Sequence, residues 1–179
     1  MPYAVAHFLT GIVLVDLFRD YFIKNKKKFP LHYVLVGGLG GVLPDLDVLL
    51  FYILSFFGTE YHDIHRTFTH TLLFVGIFIF LGVLTFHLKE KKLRKHHLKL
   101  STIFFVLAFG ILTHVILDAL LVGEIMPLYP FSTQLVGLNL VARIVPASWL
   151  GSFFNSLDAA LLIIWICYLE LKHKVSDFI

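Results

Sequence analysis

Cysteine is all but missing from this chain. Cys167 is the only one among 179 residues, which excludes an intrachain disulfide framework and any zinc site built on thiolates. Charge is scarce as well. Asp, Glu, Lys and Arg make up 15% of the residues, against roughly 25% in soluble domains, and this excludes an ordinary soluble enzyme. The first apolar run has no basic stretch ahead of it and no small-residue cleavage pattern behind it, so it reads as a retained span rather than a removed signal peptide. Internal repeats and low-complexity tails are lacking too.

What fills the chain is apolar. Hydrophobic residues reach 58% and the mean hydropathy is +0.85. Five apolar stretches, at about 3–23, 31–57, 69–88, 100–122 and 152–171, are each long enough for a spanning helix of about 20 residues. The expected fold is therefore all-α: a polytopic membrane protein with about five transmembrane helices, forming one membrane-embedded domain over residues 1–179. The second stretch carries Gly37, Gly38, Gly40, Gly41 and Pro44 and is expected to be a broken span. Gly37-x-x-x-Gly41 is also a helix-packing motif that offers a contact for an oligomer.

Of the 15 Lys and Arg residues, 13 lie at or after the ends of spans one, three and five, and only Arg66 and Arg143 fall elsewhere. The positive-inside rule then puts the N-terminus outside and the C-terminus in the cytoplasm, in a cell (inner) membrane. It also accounts for the pI near 9.0 without nucleic acid as a partner. The segment 123–151, with Pro127, Pro130, Pro146 and Trp149, reads either as an interfacial cap on the outer leaflet or as a connector anchored by Trp149.

Ionisable side chains inside spans are costly and face cavities. Counted at 1.5 Å per residue, His7, Asp45, Asp47, His70, His114, Asp118 and Asp158 all come to roughly 20–27 Å above the basic ends of their spans. All five spans thus bring His or Asp to one layer. Imidazole and carboxylate together suit a divalent first-row metal, and buried Asp needs a counter-charge. In Leu43-Pro44-Asp45-Leu46-Asp47, Asp45 is expected to cap the resumed helix while Asp47 turns inward. The pair can hold two metals, or one metal and a supporting histidine. In His65-Arg66-Thr67-Phe68-Thr69-His70, Thr67 or Thr69 is the expected helix cap, with His65 folding back over the first turn. Arg66 suits phosphate or carboxylate recognition, or else pairs with Glu60 or Asp63. Gly110-x-x-x-His114-x-x-x-Asp118 lies on one helix stripe, and Gly110 lets a neighbour approach. Tyr129, in Tyr129-Pro130-Phe131-Ser132, is a candidate polar contact. Asp16, Arg19 and Asp20 are expected to pair with one another, and Cys167 to be a small core residue.

An early His, then L-P-D-L-D, H-R-x-x-T-H and G-x-x-x-H-x-x-x-D followed by Y-P-F-S, resembles the YdjM-like membrane-bound metal-dependent hydrolases. The likeness covers His7 to Ser132. The order of motifs is also similar to the all-helical zinc-dependent phospholipase C and nuclease type, although a second helical H-x-x-x-E pair is absent. The resemblance implies phosphoester hydrolysis of a membrane lipid or lipid-linked substrate. One or two Zn²⁺, or Mn²⁺, are then expected on His7, Asp45, Asp47, His65, His70, His114 and Asp118. Asp47 or Asp158 would accept a proton, and Arg66 would steady developing charge. The alternatives are a divalent metal-ion transporter, against which stands the lack of a matching relay toward the basic side, and a metal-binding membrane scaffold.

Overall fold

The structure, a computed structural model, describes residues 4–58, 65–87 and 98–173. Among the described residues every regular element is helical. The α-helices are α1 (Ala4–Phe22), α2 (His32–Val42), α3 (Asp47–Leu54), α4 (Leu72–His87), α5 (Leu100–Leu120), α6 (Leu140–Ile144) and α7 (Leu150–His173). One isolated antiparallel bridge joins Ile125 and Val136. Among the described residues, three helical stretches are long and apolar enough to cross a membrane: His32–Phe57, Leu100–Leu120 and Ala147–Lys172. The apolar helix Leu72–Phe86 is shorter, and α1 carries Asp16, Arg19 and Asp20 in its last turns. Phe56, Phe57, Phe80, Ile163 and Ile164 all lie exposed on the helix surfaces, as expected where the solvent is hydrocarbon.

The second span is interrupted where expected: α2 ends at Val42, a 3₁₀ turn occupies Leu43–Leu46 and α3 begins at Asp47, all within one helical stretch, His32–Phe57. Proline removes a single backbone donor, and the 3₁₀ register absorbs that loss locally.

α2 is the centre of the packing, with α1 on one side and α5 on the other. Glycine makes both contacts backbone-close. A Cβ on Gly110 would stand 2.8 Å from the Gly40 Cα, and one on Gly41 would stand 3.0 Å from the His7 carbonyl carbon. Gly37 likewise faces Val15 and Gly11 of α1. The notch expected to serve an oligomer at Gly37 and Gly41 is therefore filled by α1 of the same chain. α4 packs on the other flank of α5, around Val75, Ala108, Ile111 and Val115. The long α7 rests mainly on α1, its Trp165 packs against the cluster around Phe29, Tyr33 and Val34, and its Phe154 is buried. Cys167 is exposed and is not a core residue, because most of this helix is left to the membrane.

Residues 123–149 fold back onto the ends of α4 and α5. The Leu72 N–H donates to Pro127 O (2.9 Å), Leu138 N–H to Ala119 O (2.7 Å) and Val141 N–H to Leu121 O (3.0 Å). Leu128, Phe131, Ile144 and Trp149 project outward from this segment.

Candidate metal centre

Where α2 gives way to α3, the tightened turn aims two carboxylates the same way. In the 3₁₀ register the N–H of residue 44 would bond the carbonyl of residue 41, and Pro44 has none. That carbonyl, Gly41 O, instead accepts from His114 Nδ1 at 2.7 Å. A carbonyl only accepts, so the His114 proton sits on Nδ1 and Nε2 presents a lone pair.

His70 is held in the same sense by another route. Its Nδ1 is 3.0 Å from Thr69 Oγ1, and Thr69 Oγ1 donates to Asp47 Oδ2 at 2.9 Å. The hydroxyl hydrogen is spent on Asp47, so its oxygen accepts from His70 and the Nε2 of this ring is a lone pair too. The two Nε2 atoms lie 3.1 Å apart. Around them stand Asp45 Oδ1, 3.6 Å from His70 and 3.5 Å from His114, and Asp118 Oδ2, at 3.7 and 3.8 Å.

Two lone pairs facing each other among carboxylates need a positive charge between them. With Zn–N bonds of 2.0–2.1 Å, neighbouring ligand atoms of a tetrahedral ion stand about 3.3 Å apart, close to the separations found here. The charge balance agrees. Asp45, Asp47 and Asp118 make three buried or half-buried carboxylates, and among the described residues Arg66 is the one permanent cation that pairs with them. With neutral imidazoles the deficit is two charges, which one divalent ion would fill. His/Asp groups able to hold a metal are His70–His114–Asp118, His7–Asp45–His114 and Asp45–His65–His70. The donor set therefore fits Zn²⁺ or Mn²⁺.

The expected residues divide by position. His7, from α1, stacks on His114 with ring centroids 3.8 Å apart and puts Nε2 3.3 Å from Asp118 Oδ1. His65 does fold back, to Asp47 Oδ1 at 2.9 Å. Asp47 stands outside the three candidate metal groups: besides His65 and Thr69 it accepts the Arg66 backbone N–H at 3.3 Å. This is the carboxylate-behind-histidine arrangement that orients metal-bound rings. Asp45 does not cap a helix; no side-chain cap bond exists at the start of α3, and both carboxylates face the histidines.

Asp158, on α7, lies close to the Ala6 backbone and within electrostatic reach of His7. Arg66 does not reach outward. Its guanidinium donates to Asp118 Oδ2 and Val122 O, each at 3.3 Å, while Glu60 and Asp63 lie outside the described residues. Tyr129 sits in a turn closed by its own N–H on Met126 O.

The cap of α4 is neither Thr67 nor Thr69 but Thr71, whose Oγ1 accepts from Phe74 N–H at 3.1 Å. Thr69 is drawn away to Asp47, because burying an unsatisfied carboxylate is the more costly option. A cavity of about 520 Å³, lined by His65, Arg66, Gly123, Glu124, Met126, Leu135 and Asn139, runs along the edge of the centre.

The class defined by this architecture is an all-helical membrane protein with a buried His/Asp centre. The chain belongs to the YdjM inner membrane protein family, whose model matches residues 1–174. No curated protein and no solved structure matches it. The family match carries the inner-membrane setting and says nothing of catalysis.

Proposed function

We propose that this protein is a membrane-embedded, metal-dependent hydrolase acting on an amphiphilic phosphoester at the outer leaflet. The observation that carries this reading is the pair of Nε2 lone pairs 3.1 Å apart, each fixed by an acceptor behind it and ringed by Asp45 and Asp118. His70, His114, Asp45 and Asp118 hold the ion, Zn²⁺ before Mn²⁺, and His7 and His65 stand ready for a second. Bound there, the metal supplies a Lewis acid and water acidified to a pKa of about 7. Asp158 is the better proton acceptor of the two expected, since its Oδ1 has no hydrogen-bond partner while both oxygens of Asp47 are engaged. The adjacent cavity is lined by both polar and apolar side chains, which suits a lipid headgroup and the start of its chain.

The orientation, N-terminus outside and C-terminus cytoplasmic, rests on the placement of Lys and Arg. Impermeant labelling of single-Cys variants on a Cys167→Ser background tests it; labelling within 89–99 but not within 58–68 reverses the assignment. The activity is tested by pairing hydrolysis of phosphoester lipids in detergent with metal uptake in liposomes. Hydrolysis lost on chelation and restored by Zn²⁺ supports the enzyme. Uptake without hydrolysis assigns the centre to a divalent-ion transporter, and neither activity with metal bound assigns it to a scaffold.

A further inference from the structure

Arg66 has a backbone that few arginines adopt, with φ at 65°, in the left-handed region that disfavours side chains with a Cβ. Such a residue persists where its surroundings over-determine it, and here they do so at both ends. The backbone N–H bonds Asp47 Oδ2 at 3.3 Å. The guanidinium, some five bonds further on, bonds Asp118 Oδ2 and Val122 O, each at 3.3 Å, and Glu124 O at 3.5 Å. One residue therefore ties the carboxylate behind His65 and His70 to the carboxylate at the end of α5. The side chain lies against Gly123, whose φ is +122°. A Cβ there would come within 2.6 Å of the Arg66 Cζ. Gly123 N–H in turn donates to Asn139 Oδ1 at 2.6 Å, so the guanidinium is held on a floor made by the segment that follows α5.

We propose that Arg66, seated on Gly123, is a positioning residue: a strap that sets Asp118 and Asp47 for the metal and fastens residues 122–139 over the centre, rather than the group that meets the substrate's phosphate. The inference rests on the metal-centre reading for its ligand-setting half. Its donors argue for it directly. Three of its five N–H donors are taken by Asp118 Oδ2, Val122 O and Glu124 O, and Nε, which has no partner, is buried, so no more than one Nη–H could meet an incoming anion without displacing existing bonds.

The test uses the full chain in detergent, as wild type, Arg66→Gln, Arg66→Lys and Gly123→Ala. Two quantities are read: Zn²⁺ affinity by competition with a chelator, and amide hydrogen exchange in metal-free protein. Arg66→Gln should weaken Zn²⁺ about 10- to 100-fold, the scale for losing a group that orients a ligand. In the metal-free state it should speed exchange at Gly123, Leu138 and Val141 at least about tenfold, the direction expected when local opening becomes easier, while α2 and α5 stay protected. Arg66→Lys should fall between, since a point charge reaches Asp118 but cannot span two carbonyls as well. Gly123→Ala should reproduce the loss of Zn²⁺ affinity with the arginine still present, because the new methyl pushes the guanidinium off its floor, while its faster exchange also carries the strain of an alanine at φ +122°. This variant also guards against a misfolded Arg66→Gln.

Unchanged exchange and unchanged Zn²⁺ affinity in Arg66→Gln and Gly123→Ala, with only turnover lost, would return Arg66 to the substrate and overturn the proposal. Faster exchange with unaltered Zn²⁺ affinity would overturn the ligand-setting half. A wild type that binds no Zn²⁺ would sink the metal reading itself, and the exchange data would still decide whether the strap exists.

Discussion

At the lysine-rich end of α1, the Asp20 side chain is fully buried and surrounded by cations. Lys26 Nζ is 2.6 Å away, Arg19 Nη1 3.3 Å and Lys172 Nζ 4.0 Å, and Tyr168 O–H donates at 3.0 Å. At the other end of the bundle Asp118 is just as buried, and its neighbours are His7, His70, His114 and one arginine. The same carboxylate is neutralised by the chain in the first place and left wanting charge in the second. Burial and polarity alone do not separate a structural cluster from a candidate metal site; the sign of what remains after pairing does.

The comparison breaks most decisively if the two clusters respond alike to loss of one member. His114→Ala and Asp118→Ala should each remove nearly all metal from the purified protein, measured by elemental analysis, while Lys26→Ala keeps it. Equal metal in all three would erase the distinction. Next in size, Asp20→Asn should destabilise the fold by about 3 kcal/mol, the low end for breaking a buried ion pair. It should loosen α7 in hydrogen exchange and leave metal content intact. Chelation of wild type should lower the melting temperature, by the equivalent of about 2.7 kcal/mol from a free metal level one hundred times Kd. The Asp118→Ala protein should be indifferent to the chelator. A smaller effect is expected at Thr69. Thr69→Ala cuts the link from His70 to Asp47 and should weaken Zn²⁺ about tenfold, whereas Thr69→Ser should restore it; equal affinities would show that Asp47 steers His70 unaided. Smallest of all, Lys172→Ala should shift stability by less than about 1 kcal/mol, because its 4.0 Å pair is half exposed and weak.

The helices and the layer of ligands were legible because both rest on period and depth. Apolar runs long enough to fill a bilayer and ionisable residues counted from a common edge place His7, Asp45, His70, His114 and Asp118 near one another without tertiary information. The groups that hold the histidines and carboxylates in place were not legible. Thr69 stood in the motif as a helix cap, and its turn toward Asp47 depends on the path of the chain before α4. Arg66 was expected to look outward or toward Glu60 and Asp63, because a nearby acid in sequence is visible and Asp118, 52 positions away, is not. Gly123 gave no signal at all: its use is the room it leaves for a side chain from another segment. The weakness of α7's attachment was hidden as well, since an apolar helix reads the same whether proteins or lipids surround it.

The candidate ligands are spread along the chain, from His7 to Asp118, over four separate stretches. This has a consequence for how the protein is made. Synthesis runs from the N-terminus, so Asp45 and Asp47 must enter the membrane some 70 residues before Asp118 exists. No partial chain contains the full set of donors. A metal can be captured in its final place only after α5 has been delivered beside α2, which makes loading a late event and a natural checkpoint on insertion. A ribosome-stalled chain ending between residues 75 and 110, which lacks His114 and Asp118, should accordingly hold zinc far more weakly than the full chain.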